Sequence, residues 1–352
     1  MTHRLPRRQV VPLLAGGALA LGLPPARAAA ACGGTVFTAD EGAPGITAVD
    51  LATGRTSATR LDIAPHNVEA AGSGRWLLAV GNARTAHGPG HGPASARLVV
   101  LEPVAGGAPR VVAEIPVGRH PAHVVADSAA TRAFVTDSEA DALQVVDLER
   151  RRVSATVQLG DYPHGLRLSP DEGEAWVANV RDGTVSVVDI AQSNEIARIQ
   201  VGPSPVQVAF LPDGSRAYVS LRGADAVAEI EVATRRVVRR IPVGRGPVQV
   251  FATPDGRLVY VANEGTRASP GTGVSVVDVA AGAVAATIET GRGAHGVAIC
   301  ADGRWTVAEL HRLVTRAESF RDLSLEQLTG VLDMLSGRYP SDEFADLSLI
   351  HI

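Results

Sequence analysis

The sequence predicts an all-β fold, a β-propeller of four-stranded blades, followed by a short α-helical tail. Three observations predict it: one turn returns at a fixed interval, four short apolar runs fill each interval, and Asp-Gly pairs join some of those runs. The chain has 352 residues and a net charge of −4, which gives no electrostatic reason to expect nucleic-acid binding by the propeller. We divide it into a signal peptide (1–31), a propeller (32–303) and a helical tail (304–352).

The first residues have the pattern of an export signal. An arginine-bearing stretch (residues 4–8) precedes an apolar run (10–23) and the small-residue site Ala26-Arg27-Ala28. The run is shorter than the roughly 20 apolar residues that a membrane-spanning helix needs. We therefore predict a periplasmic or secreted protein without a transmembrane helix. The Arg7-Arg8 pair leaves the twin-arginine route open beside the general secretory route.

The repeating turn begins at a glycine and leads into a strand. Its copies at Gly118, Gly160, Gly202 and Gly244 lie 42 residues apart, and a further copy at Gly291 follows after 47. Each interval contains runs such as HGLRLSP, EAWVANV, TVSVVDI and EIARIQVG, which alternate apolar and polar residues as strands do. Four strands per repeat are typical of a propeller blade.

The blade count follows from the same runs. Residues 35–61 predict three strands, residues 62–290 predict five complete units, and "HGVAICADG" at 295–303 predicts one strand that could complete the first blade. Asp213-Gly214 and Asp255-Gly256 suit the tight hairpins between strands. The count is six blades, and a natural protein that continued further could have seven.

Four segments of the chain resemble a known repeat family. The segments FVTD, WVAN, YVSL and YVAN, each followed by a VSVVD-like strand and a Gly-initiated turn, are similar to the YVTN family of bacterial β-propellers over about residues 35–302. That family includes surface proteins and proteins linked to periplasmic redox systems. The resemblance therefore implies the fold and leaves the function open.

Two cysteines lie near the predicted point of ring closure. Cys32 precedes the incomplete first blade and Cys300 ends the predicted closing strand, so closure would bring their sulfurs together as a candidate disulfide. Cys32 also follows three alanines, Ala29 to Ala31, in a weak match to a bacterial lipid-attachment site. Attachment of a lipid to Cys32 remains the alternative.

The apolar spacing becomes helical after Trp305. The piece LDMLSGRYPSDEFADL resembles part of the large Lhr-type DNA helicases, in a region with winged-helix character. The chain contains no phosphate-binding loop of the Gly-Lys-Ser/Thr kind, so the resemblance implies no helicase activity. The final LSLIHI looks like translated adapter sequence, and we expect an artificial junction near Gly303-Arg304.

Polar residues at the start of the first strands are the candidate ligand site. By repeat register His66, His164 and His295 share one level of the channel mouth, and the next position along holds four further candidates: Asn67, His123, Gln207 and Gln249. Neutral imidazoles can bind zinc, copper or haem iron, which would make His66, His164 and His295 the metal ligands. The alternative is that the histidines only bond neighbouring blades, and we predict no cofactor.

The predicted function is non-enzymatic. We expect a monomer that presents a rigid rim to an unknown protein partner or small ligand. The chain shows no nucleophile elbow, phosphate loop or paired-cysteine metal motif, so no catalytic residue is assigned. The alternative is a periplasmic protein associated with a metal, a cofactor or redox chemistry, or a lactonase-like enzyme, that uses the histidine-lined mouth.

Overall fold

The computed structural model describes residues 34–50, 53–85, 88–89 and 96–297. The first antiparallel sheet, blade 1, contains β1 (Thr35–Asp40), β2 (Gly45–Asp50) and β3 (Thr56–Arg60). Blade 2 contains β4 (Ile63–Ala71), β5 (Trp76–Thr85), β7 (Ala96–Glu102) and β8 (Arg110–Pro116), with the short β6 (Gly88–Pro89) beside β5.

Four further sheets each contain four strands in sequence order. Blade 3 is β9 (Pro121–Ala126), β10 (Arg132–Asp137), β11 (Ala142–Asp147) and β12 (Arg152–Gln158). Blade 4 is β13 (Pro163–Leu168), β14 (Glu174–Asn179), β15 (Thr184–Asp189) and β16 (Asn194–Gln200). Blade 5 is β17 (Pro205–Phe210), β18 (Arg216–Leu221), β19 (Ala226–Glu231) and β20 (Arg236–Pro242). Blade 6 is β21 (Pro247–Ala252), β22 (Leu258–Gly265), β23 (Pro270–Asp278) and β24 (Ala283–Glu289).

The first strands of neighbouring blades pack against one another. Each of β4, β9, β13, β17 and β21 is the edge strand of its own sheet, and each of the first four contacts the first strand of the next blade along the chain. The first strands therefore surround a central axis, and the molecule is the predicted all-β propeller with six blades. Within the described residues, the single helical element is a 3-10 turn at Arg222–Ala224.

Apolar side chains between the blades form the core. The middle strands are buried along nearly their whole length, because both of their faces meet a neighbouring blade, whereas the outer strands alternate exposed and half-buried residues. Trp176 of blade 4 packs with Val208 of blade 5, and Phe134 of blade 3 packs with Leu166 of blade 4. Burial between blades thus holds the first strands at fixed positions around the axis.

Hydroxyl groups also tie the blades together near the axis. Thr136 of blade 3 donates its hydroxyl hydrogen to the backbone carbonyl of His164 in blade 4 at 2.7 Å. Ser220 of blade 5 donates in the same way to the carbonyl of Val248 in blade 6 at 2.6 Å. Since His164 and Val248 occupy equivalent repeat positions, this bond is a recurring device that fixes the start of the next blade's first strand.

Of the predicted closing strand, residues 295–297 lie among those that the structure describes. Residues 295–297 form no strand, while Ala294 and Val297 pack against Val248 and Tyr260 of blade 6. The remainder of the segment, Cys32, Cys300, the signal peptide and the helical tail lie outside the described residues. Completion of blade 1, the disulfide and the domain boundaries therefore stay predictions. In the part of the chain that the structure describes, no helix is long and apolar enough to cross a membrane.

Candidate functional site at the channel mouth

Three histidines from three consecutive blades meet at one end of the channel. His66 lies on β4, His123 on β9 and His164 on β13. One ring nitrogen from each lies within 4.8 Å of the others, and the Nε2 atoms of His66 and His164 are 3.4 Å apart. The rings of His123 and His164 are tilted, with centroids 4.8 Å apart, and His66 meets both edge-on. We call these three residues the histidine cluster.

His164 is fixed from both neighbouring blades. Its carbonyl accepts the hydroxyl hydrogen of Thr136, and its Nδ1 lies 3.3 Å from the backbone carbonyl oxygen of Val206 on β17. Because a carbonyl can only accept, Nδ1 carries the ring proton in the neutral imidazole and Nε2 is left with its lone pair. That lone pair is directed toward the rest of the histidine cluster.

His66 has the same arrangement with a carboxylate partner. Its Nδ1 lies 3.4 Å from Oε1 of Glu41, which belongs to the turn between β1 and β2. Donation from Nδ1 to this carboxylate leaves the Nε2 lone pair of His66 facing that of His164. The pKa of Glu41 is lowered by the hydrogen bond to His66, which stabilises its charged form against partial desolvation.

His123 reaches the cluster from one position further along its strand. Nε2 of Gln207 lies 3.5 Å from its Nδ1, and the backbone N–H of Val208 donates to Oε1 of Gln207 at 2.9 Å, which orients the amide. Gln207 is two blades away from His123, and the residue between them in repeat register is Gly165. A Cβ at Gly165 would lie 2.4 Å from Oε1 of Gln207, so the glycine leaves the space through which this amide passes.

Burial keeps the two inner imidazoles neutral. Desolvation lowers the pKa of His123 well below 6.5, and the neighbouring His164 and His66 lower it further. Desolvation also lowers the pKa of His164 to about 3, with a smaller contribution from His66, against the bond to Val206 that raises it. Neutral imidazole is the form that binds metal ions.

Charged side chains surround the cluster on its outer side. Nδ1 of His295 lies 3.2 Å from Oε1 of Glu264, whose Oε2 accepts from Arg222 at 2.9 Å. His295 therefore belongs to this outer group, and the structure does not bring it into contact with His66 and His164. Asn82 and His120 form another polar contact, with Nδ2 and Nδ1 3.4 Å apart.

The remaining predicted site residues have different surroundings. Asn67 accepts a hydrogen bond from the backbone N–H of Val124 at 3.1 Å, which joins blade 2 to blade 3. Gln249 is partly buried on β21. Of the seven candidates, the structure thus brings together His66, His123, His164 and Gln207.

Sequence reasoning missed the two carboxylates at the mouth. Glu41 and Glu264 each directly follow a four-residue segment, FTAD at the end of β1 or YVAN in β22. Inspecting the position after each of these segments could have found both. Placing them next to His66 and His295, however, requires contacts between residues 25 and 31 positions apart in sequence.

A second charged pair lies deeper in the channel. Oε2 of Glu69 on β4 is 3.9 Å from Nη1 of Arg167 on β13, and the guanidinium of Arg167 stacks 4.8 Å from the ring centre of Phe251. Burial raises the pKa of Glu69, and the charge of Arg167 partly offsets this. The charge of Arg167 also lowers the pKa of His123, and Glu69 supplies Arg167 with a counter-charge.

Comparison with known proteins agrees with the architecture. Residues 115–307 match the model of a YNCE-like beta-propeller, and residues 294–352 match a large helicase-related protein, winged helix domain. No curated protein matches the chain. Among solved structures, Kuenenia stuttgartiensis Hydrazine Synthase is similar with a TM-score of 0.58 and 21% identity, over 83% of this chain and 86% of that chain. At this identity the likeness concerns the fold alone.

Proposed function

We propose, since the chain belongs to the YNCE-like β-propeller family, that it acts as an exported, rigid binding module whose ligand or protein partner docks at the channel mouth. The fold accounts for a binding or scaffold role in general. The use of this particular mouth and the exported location are the specific parts of the proposal.

One observation carries the proposal: ionisable side chains from five of the six blades converge on a single mouth. They are Glu41, His66, His123, His164 and Glu264, from blades 1, 2, 3, 4 and 6. The ring packing does not need exposed charges at this place, and the side chain of Glu41 is 67% exposed. Convergent polar groups on a rigid frame are typical of a binding site.

The rigidity of the frame supports the same conclusion. The hydroxyl bonds of Thr136 and Ser220 and the amide contact of Gln207 all fix backbone or side chains across blade boundaries near the mouth. A site whose groups are already held in place loses little conformational entropy when it binds. Export is supported by the charged and apolar pattern of residues 4–23.

The test compares the two ends of the propeller. Glu41→Gln combined with Glu264→Gln removes two mouth carboxylates, whereas Glu149→Gln removes an exposed carboxylate from the turn between β11 and β12, at the opposite end. Each protein is expressed with its own signal, crosslinked in intact cells, and recovered from the exported fraction. Quantitative mass spectrometry then compares what each variant retains.

We expect the mouth variant to lose a bound component that the wild type and Glu149→Gln both keep. Equal retention by all three proteins would place docking elsewhere on the surface. Recovery of the wild type only from the cytoplasm, with its first residues intact, would overturn the exported part of the proposal.

A further inference from the structure

We propose that His66, His123 and His164 form a binding site for one late first-row transition-metal ion, Cu²⁺ or Zn²⁺. The inference deepens the proposed function and rests on it, because it names the chemical class of one ligand of the channel mouth. It stands on the arrangement of ring nitrogens in the histidine cluster.

The distance between the two facing nitrogens suits a shared ion. A tetrahedral ion with bonds of about 2.0–2.1 Å holds neighbouring nitrogen ligands roughly 3.3 Å apart. The Nε2 atoms of His66 and His164 lie 3.4 Å apart. An ion placed between them would need little movement of either ring.

The protonation pattern also suits an ion. Nδ1 of His164 faces the carbonyl of Val206 and Nδ1 of His66 faces the carboxylate of Glu41, so each ring offers its Nε2 lone pair inward. Metal-binding histidines commonly donate their other ring N–H to a carbonyl or carboxylate, which fixes the tautomer and ring orientation. With both ring protons on Nδ1, the two Nε2 lone pairs face each other without a proton between them, and a bound metal cation would satisfy both.

The third histidine completes a three-nitrogen set. His123 is 6% exposed, and its ligating nitrogen lies within 4.8 Å of the other two. A ring rotation that moves this nitrogen inward by about 1 Å would bring it within bonding distance of an ion between the other two. The amide of Gln207 contacts the ring at 3.5 Å, a distance long enough to give way to a metal bond.

The choice of ion follows from the ligand type. Imidazole suits copper, zinc, nickel and iron, whereas calcium and magnesium prefer oxygen ligands. Affinity of a nitrogen site for divalent ions is greatest at Cu²⁺. The nearby carboxylate of Glu41 supplies negative charge, and the inner cation Arg167 is paired with Glu69.

The experiment titrates metal into the full chain. The protein is purified with a histidine-free tag and stripped with a chelator, and Zn²⁺ binding is measured by calorimetry. Cu²⁺ binding is measured by electron paramagnetic resonance, in which coupled nitrogens report imidazole ligands. We expect one ion per chain, and we expect His66→Ala and His164→Ala each to weaken binding by about 100-fold or more.

The matched controls are histidines outside the cluster. His295→Ala removes an imidazole that shares the repeat position of His66 and His164 but bonds Glu264 instead. The double variant with His87→Ala and His91→Ala removes two further histidines, which lie four positions apart in the sequence. Both controls should bind the metal ion as the wild type does.

Because the side chain of His66 is 30% exposed, the metal-free thermal stability of His66→Ala should remain close to that of the metal-free wild type.

Three results would overturn the inference. The first is a wild-type protein that binds no ion at equimolar metal. The second is a loss of metal affinity in His295→Ala, or in the His87/His91 variant, equal to the loss in His66→Ala. The third is a copper spectrum without coupled nitrogen. The first of these, found together with mouth-dependent capture of a partner, would leave the proposed binding function standing. The cluster would then be a contact between neutral imidazoles that only supports the ring.

Discussion

The Nε2 atoms of His66 and His164 lie 3.4 Å apart although the two residues are 98 positions apart in sequence and a whole blade separates their strands. Blade 3 allows this contact because its residue at the same level is Ala122, whose small side chain leaves the space open. The imidazole of blade 3, His123, comes from the next position and approaches from the side. The cluster thus depends on which blades carry a large side chain at each level.

We expect Gly165 to be required for the close packing of the first strands at the channel mouth. A Cβ there would lie 2.3 Å from the carbonyl oxygen of Val206 and 2.4 Å from Oε1 of Gln207, so Gly165→Ala must displace one of them. We expect a loss of about 1–3 kcal/mol in the free energy of unfolding, measured by urea denaturation. Gly296→Ala is the matched control, because Gly296 also follows a histidine at this repeat position and a Cβ there would meet no described atom within 4 Å. Equal stability of the two variants would contradict the proposed crowding.

Thr136 should contribute to stability through a bond between blades. Thr136→Val keeps the shape but removes the hydroxyl that binds the carbonyl of His164 and accepts from the backbone N–H of His123. Leaving these buried groups unpaired should cost about 1–3 kcal/mol. Thr156→Val, on the exposed face of the outer strand β12, should change stability by less than about 0.5 kcal/mol in the same denaturation experiment. A Thr136→Val protein as stable as this control would show that the bond makes no net contribution to the free energy of unfolding.

Acid should destabilise the metal-free protein through the histidine cluster. In the folded state burial holds the pKa of His164 at about 3, whereas in the unfolded chain it titrates near 6.5. The unfolded state therefore binds more protons as the pH falls below 6.5, and the free energy of unfolding falls until about pH 3. His123, whose pKa is also lowered by burial, adds to the same fall.

The contribution of His164 to this pH dependence can be measured by substitution. One such group changes the free energy of unfolding by up to about 1.4 kcal/mol per pH unit. His164→Gln should reduce the slope of stability against pH between about 6 and 4 by an amount of this order. The charges of His66, His295 and His120 lower the pKa of His164, and the ring of His123 lies beside it, so His295→Ala serves as the control for indirect charge effects. An unchanged slope in His164→Gln would show that this imidazole is protonated in the folded state.

The mature protein should carry a bond between its two cysteines. If the signal is removed and the ring closes as predicted, Cys32 and Cys300 become linked in the oxidising compartment. Peptide mass spectrometry without reductant should find the linked pair, and reduction should abolish it. A lipid on Cys32 would instead establish the alternative of membrane attachment, and two free thiols would contradict the predicted closure.

The local pattern was sufficient to predict the fold. The 42-residue interval, the alternating apolar runs and the Asp-Gly turns specify four strands per unit and their antiparallel order, and the six sheets follow these boundaries closely. The start of each first strand also predicted where polar residues would gather. This worked because strands and hairpins are set by neighbouring residues.

The membership of the cluster was decided by contacts that the repeat register does not contain. His295 has the register of His66 and His164, but residues 295–297 form no strand and the ring of His295 bonds Glu264. His123 is one position out of register and still reaches the pair. Sequence alone determined that this chain folds into a ring of sheets with histidines at one mouth. Only the tertiary structure determined which of those histidines meet, because side-chain direction and the space left by Ala122 and Gly165 arise from packing between blades.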